Sequence, residues 1–122
     1  MRSYSEQARE LLLELGLIDL HIDSFIPTRL FGYDLDVSHA HPRNPNVFFG
    51  QLDFPRALEQ GMTAGMFSIT TNPIGTPAYR WEVFQKNLRN LKTLIEGSQH
   101  PVGWATTYSE MKEVNDKGKL AC

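Results

Sequence analysis

Cysteine occurs once, at Cys122, the last position of the sequence, so no disulfide can close within the chain and the composition fits a reducing compartment. An excess of charge of either sign is also missing. Twelve basic residues against 14 acidic ones leave a net charge of −2, and without a basic run there is no electrostatic basis for nucleic acid or an anionic membrane as partner. No apolar stretch approaches membrane-spanning length. Residues 1–17 interleave Arg2, Glu6, Arg9, Glu10 and Glu14 with their leucines, so they lack the unbroken apolar core of a secretory signal. A cytoplasmic location is the resulting expectation. The chain also has no Asn-Gly or Asp-Gly hairpin turn between strand-like runs, which argues against adjacent antiparallel strands.

What remains is a globular composition, 41% hydrophobic over 122 residues, able in principle to build one core. Ala8, Leu11, Leu12 and Leu15 recur at helical spacing and Gly16 follows, which predicts a helix over 5–15 and a strand directly after it. From residue 24 to 50 the pattern dissolves among Pro27, Gly32, Pro42 and Pro45. So long a connection usually carries function. Its aromatic residues Phe25, Phe31 and Tyr33 either line a pocket or cover the end of the core.

Asp53 reads as the N-cap of a short helix, with Pro55 in the first turn, Leu58 turned inward and Gly61 as the stop. A largely apolar strand is expected over 63–70, with small residues where backbones pack closely, and a turn-rich loop over 71–77. Trp81, Phe84, Leu88, Leu91 and Ile95 then recur every three or four residues, predicting a helix over 78–96 whose aromatic residues belong to the core. A short strand over 102–105, a helix capped by Thr107 or Ser109 and ended by Gly118, and a final strand from Lys119 complete the pattern.

The chemistry-bearing stretch is Ile18-Asp19-Leu20-His21-Ile22-Asp23. Side chains two apart on a strand share a face, so Asp19, His21 and Asp23 should point one way, and Ile18, Leu20 and Ile22 the other, into packed helices. An imidazole and a carboxylate so placed suit a divalent cation such as zinc. They equally suit each other as a hydrogen-bonded pair at a strand end. Asp19 fits better as a backbone acceptor, or as a group orienting a ligand from behind, than as a ligand itself. His39-Ala40-His41 is a second candidate pair, but Pro42 follows at once and no strand holds the imidazoles on one face. A solvated loop is the expected setting.

Helices and strands thus alternate, which predicts an α/β fold with parallel strands joined by crossovers. An open doubly wound sheet would carry a glycine-rich phosphate turn after its first strand, where this chain has His21-Ile22-Asp23-Ser24. A (β/α)₈ barrel puts its catalytic groups at the carboxyl ends of its strands, where His21 and Asp23 lie, and is the preferred architecture. Such a barrel takes about 250 residues. Residues 1–122 are therefore expected to be the N-terminal portion of a single barrel domain, cut within a strand after Cys122.

Three segments together resemble the membrane or renal dipeptidase-like metallopeptidases of the amidohydrolase superfamily. Ile18-Asp19-x-His21-x-Asp23 is similar to that family's first-strand metal motif, Gly61-x-x-x-Gly65-Met66-Phe67-Ser68 to its second strand, and Gly118-Lys119-Leu120-Ala121 to the run into its third major active-site strand. The resemblance spans nearly the whole chain. It implies a closed barrel holding two zinc ions, with His21 and Asp23 as ligands, a bridging glutamate and two histidines beyond Cys122, and hydrolysis of dipeptides by a metal-activated water. A homodimer is compatible with it. Ile22 stands where many relatives have Asn, and Ser24-Phe25-Ile26 replaces a more usual Leu-Pro, so the first loop departs from the family pattern. Two other functions stay open: a related metal-dependent hydrolase acting on lactones or N-acyl amino acids, and a catalytically incomplete binding or scaffold fragment.

Overall fold

A computed structural model describes residues 4–40 and 51–122. Among these residues, nine elements alternate as the sequence pattern requires, with one addition: α1 (Tyr4–Leu15), β1 (Leu17–Ile22), α2 (Phe25–Phe31), α3 (Phe54–Glu59), β2 (Met62–Phe67), α4 (Pro77–Glu96), β3 (Val102–Gly103), α5 (Tyr108–Asp116) and β4 (Leu120–Ala121). All strand pairings are parallel, in the order β1-β2-β4-β3. The protein is α/β, and β4 inserts between β2 and β3.

Local chemistry accounts for most boundaries. Asp53 caps α3 by accepting from Arg56 N at 2.9 Å, with Pro55 in the first turn, where its missing N–H costs nothing. Thr76 caps α4. At α5 the cap is Thr107, whose hydroxyl accepts from Glu110 N while the Glu110 carboxylate accepts from Thr107 N, so two otherwise unpaired donors are satisfied reciprocally. Gly61 turns the chain from α3 into β2 at φ +74°, and a Cβ there would stand 2.6 Å from Leu13 Cδ2. At Gly65 a Cβ would run into the side chains of Ile22 and Met62, so the glycine lets buried β1 and β2 residues meet.

The helix α2 was not anticipated. Pro27 interrupts its sequence, yet it occupies the third helical position, where a first-turn N–H has no intrahelical acceptor to lose. Gly32 in the left-handed conformation ends it. Phe25 and Tyr33 are both buried and cover the end of the core, whereas Phe31 is exposed.

The core gathers Ile22, Phe25, Tyr33, Leu35, Phe54, Met62, Leu91, Ile95, Val102 and Leu120, with Phe54 and Phe67 in an edge-to-face contact at 6.4 Å. Two polar ties hold its periphery. Asn115 on α5 donates to Thr63 O at 2.7 Å and Lys119 O at 2.9 Å, linking β2 to the start of β4. Asp36 accepts from Ser98 Oγ and Gln99 N, and its carbonyl lies 2.9 Å from His100 Nε2, so the segment after α2 is fastened to the turn before β3.

Three expectations are corrected. The apolar face of β1 is not packed under helices: Ile18 and Leu20 are exposed and only Ile22 is buried, β1 being an edge strand that among the described residues pairs with β2 alone. Trp81 is not core either. It is 59% exposed and stacks on Phe84 at 5.6 Å. Residues 76–82 are all exposed and burial on α4 begins only at Asn87, so the first turns of α4 are left uncovered. Finally, His39 is buried at 3% exposure rather than solvated, while His41 lies outside the described residues.

Candidate functional site

The site is built at the carboxyl ends of the two neighbouring strands β1 and β2. Ser68 N donates to Ile22 O at 2.8 Å, tying these ends together just where β1 gives way to α2. His21 is the penultimate residue of β1, and Asp23 stands one residue past its end. The strand pairing is irregular between Asp19 and Ile22, and yet His21 and Asp23 converge: His21 Nε2 lies 3.2 Å from Asp23 Oδ2. Both side chains reach solvent, at 72% and 48% exposure. Asp19 Oδ1 accepts from the His21 backbone N–H at 2.9 Å, which steadies the backbone from which the imidazole projects.

The two alternatives posed by the His-x-Asp spacing are therefore not exclusive. The pair is hydrogen-bonded, and the same two atoms are neighbouring nitrogen and oxygen donors of the kind zinc accepts. They amount to half of a four-coordinate shell, and among the described residues no group of three or more metal-capable side chains forms. The residues present thus fit a metal as a partial ligand set.

Other groups gather at the same end. Arg29 on α2 reaches the loop after β2, where its Nη2 donates to Thr70 O and Thr70 Oγ1, each at 3.2 Å, while its guanidinium lies 5.5 Å from the centre of the Phe25 ring. Nothing in the sequence pattern flagged Arg29; the signal would have been a helix recognised over 25–31, placing this residue beside the strand ends. Arg80 Nε makes a longer contact, 3.4 Å, with Thr71 Oγ1 in the same loop.

A second polar cluster is buried away from this exposed pair. Asp53, fully buried, accepts from His39 N at 2.9 Å and from Arg56 Nε at 2.6 Å in addition to its capping bond. His39 stacks on Tyr33 at 4.1 Å, and Tyr33 donates to Leu52 O at 3.0 Å. Burial works against ionisation of Asp53 and is the largest single influence on it. The hydrogen bonds from Arg56 and His39 and the Arg56 charge together outweigh it and hold the carboxyl below its ordinary value. Burial, reinforced by the Asp53 charge, pushes the Tyr33 hydroxyl up. His39 Nδ1 is 3.4 Å from Asp53 Oδ2 without a hydrogen bond. Asp53 thus has its oxygens committed to Arg56 and the His39 backbone, and the cluster ties His39 to the start of α3.

Fold and site define an α/β protein with a parallel four-stranded sheet and a His–Asp donor pair at the carboxyl end of its first strand. Compared with known proteins, the chain matches no family model and no curated sequence. No helix among the described residues is long and apolar enough to cross a membrane.

Proposed function

We propose that the protein is a zinc-dependent dipeptidase in which His21 and Asp23 supply two of the ligands of a metal centre, completed by residues outside this sequence. The observation that carries this reading is the convergence of His21 Nε2 and Asp23 Oδ2, side by side and exposed, at the carboxyl end of a parallel strand. That is where α/β enzymes of the barrel class assemble their chemistry. A bound zinc ion lowers the pKa of a coordinated water towards neutrality and polarises a scissile carbonyl. The protein's own part is to hold the imidazole and carboxylate in register through Asp19 and the Ser68–Ile22 tie.

The sheet supports a barrel origin in the same way. β1, β2 and β4 are consecutive neighbours, and β3, only two residues long, pairs outside β4. On this reading β1, β2 and β4 are the first three barrel strands and β3 is a short accessory pairing. A cytoplasmic, dipeptide-handling enzyme, capable of forming a homodimer, is the physiological form proposed.

Full-length protein loaded with zinc should hydrolyse members of a dipeptide panel in a chelator-sensitive manner. Turnover confined to lactones or N-acyl amino acids would reject the dipeptidase in favour of a related hydrolase, and no turnover in either panel would favour a scaffold. Zinc content gives a separate check. H21A and D23A should each lower bound zinc, and unchanged stoichiometry in both would remove these residues from the centre.

A further inference from the structure

We infer that Asp19 is a positioning residue for the His21–Asp23 pair, and that it acts through its shape, as a backbone acceptor, rather than through its charge. The inference deepens the reading of a metal centre and rests on it for the identity of the ligand, zinc. Its basis is a slip in the sheet. From Asp19 to Ile22 strand β1 advances three residues while β2 advances two, from Gly65 to Phe67, so β1 carries one residue more than its partner across Leu20 and His21. A bulge of this kind leaves a backbone group without its ladder partner and re-aims the side chain beside it. Here the His21 N–H donates to Asp19 Oδ1 at 2.9 Å. The carboxylate oxygen stands in for the missing ladder acceptor from two residues upstream, which closes an Asx turn over the bulge.

The molecule uses the same device elsewhere. Asp34 Oδ1 accepts from Asp36 N and Asn72 Oδ1 accepts from Ile74 N, each at 2.9 Å and each in a connection between elements. Asn72 shows that an uncharged amide oxygen closes this turn as well as a carboxylate does. Asp19 closes it inside a strand, where it competes with the ladder. The other slip in the β1–β2 pairing is treated alike. There β2 advances two residues, Met62 to Ala64, while β1 advances one, Leu17 to Ile18, and the extra Thr63 donates its hydroxyl to Leu17 O at 3.2 Å. The effect shows downstream: residues two apart on a regular strand stand about 6.6 Å from each other, yet His21 Nε2 and Asp23 Oδ2 meet at 3.2 Å although both side chains reach solvent. Two donors held close in advance leave less of the chain to be ordered when a metal binds.

The test compares full-length wild type, D19N, D19E and D19A in two measurements. Hydrogen exchange of the His21 amide, followed by NMR without metal, reports whether the bulge is held; competition with a chromophoric chelator gives the affinity for zinc. Asn keeps the acceptor in place without the charge, whereas Glu keeps the charge and moves the acceptor by one methylene. D19N should therefore stay within about threefold of wild type in both measurements, while D19E and D19A should exchange the His21 amide faster and bind zinc about 10–100-fold more weakly, the usual effect of losing a group that orients a metal ligand. Loss in D19N, with or without loss in D19E, would show that the charge acts, and equal behaviour of all four proteins would show that Asp19 positions nothing; either result overturns the inference. If none of the four takes up zinc while His21 exchange still separates D19N from D19E and D19A, the metal centre is wrong and the positioning role stands.

Discussion

Asp53 joins three polar interactions in one buried side chain. It caps α3, binds the Arg56 guanidinium and accepts the His39 backbone N–H, all with no exposure to solvent. Removing one partner of a fully buried ion pair costs about 3–5 kcal/mol because the other is left uncompensated; Arg56 is 30% exposed and keeps part of its hydration, so D53A should lose about 2–3 kcal/mol in urea unfolding. The pH dependence follows from the direction of the shift. With its folded pKa held down, Asp53 contributes stability that is fully present above the unfolded value of about 3.9 and is lost as pH falls through the folded value. The stability gap between wild type and D53N should therefore be constant near neutrality and shrink on acidification below about pH 4; a gap independent of pH would show that the charge contributes nothing. The cap was legible in the sequence because Asp-x-Pro before a helical pattern is a local signal. The burial of His39 was not, since its stacking partner Tyr33 and its acceptor Asp53 lie 6 and 14 positions away and no periodic pattern connects them.

Elements long enough to repeat their pattern could be read directly, as α1 and α4 show. Seven residues of α2 contain too few turns to display a period, and Pro27 reads as a breaker unless the helix start is already known. The stripe of α4 was correctly periodic, but periodicity says only which residues share a face. Whether a face is covered depends on where the sheet ends, which is why Trp81 emerged exposed while Leu91 and Ile95, on the same stripe, are buried. Junctions between elements are equally exacting. Gly61 combines a left-handed backbone with a close approach to Leu13 of α1, and G61A should cost about 1–2 kcal/mol from the backbone alone, with further loss from displacing the leucine. Equal denaturation midpoints for G61A and wild type would show that the turn relaxes without cost.

At the scale of the whole molecule, β1 is an edge of the sheet among the described residues, paired there on one side only. Ile18, Leu20 and Met66 line an open apolar cavity of about 540 Å³ together with Leu88, Leu91 and Trp104. Exposed edges and apolar faces of this kind invite association. A polypeptide of these 122 residues alone should therefore self-associate or bind an apolar dye, and should unfold without a sharp transition. Monomeric sedimentation with dispersed amide signals and cooperative unfolding would instead establish a self-sufficient small domain. Parallel α/β order was legible because crossovers need helices between strands; the insertion of β4 between β2 and β3 was not, since a two-residue strand carries no pattern that fixes its neighbour.

The uncovered start of α4 changes how the surface around it can be altered over evolutionary time. A rim made of loop can grow or shrink residue by residue, whereas a helical parapet changes height by about 1.5 Å per residue and restores the same face only after a full turn of about 5.4 Å. Because Thr76 and Pro77 define where α4 begins, selection acting on its uncovered first turns would work in coarse steps, moving the stacked Trp81 and Phe84 as a unit and leaving the buried stripe at Leu91 and Ile95 undisturbed.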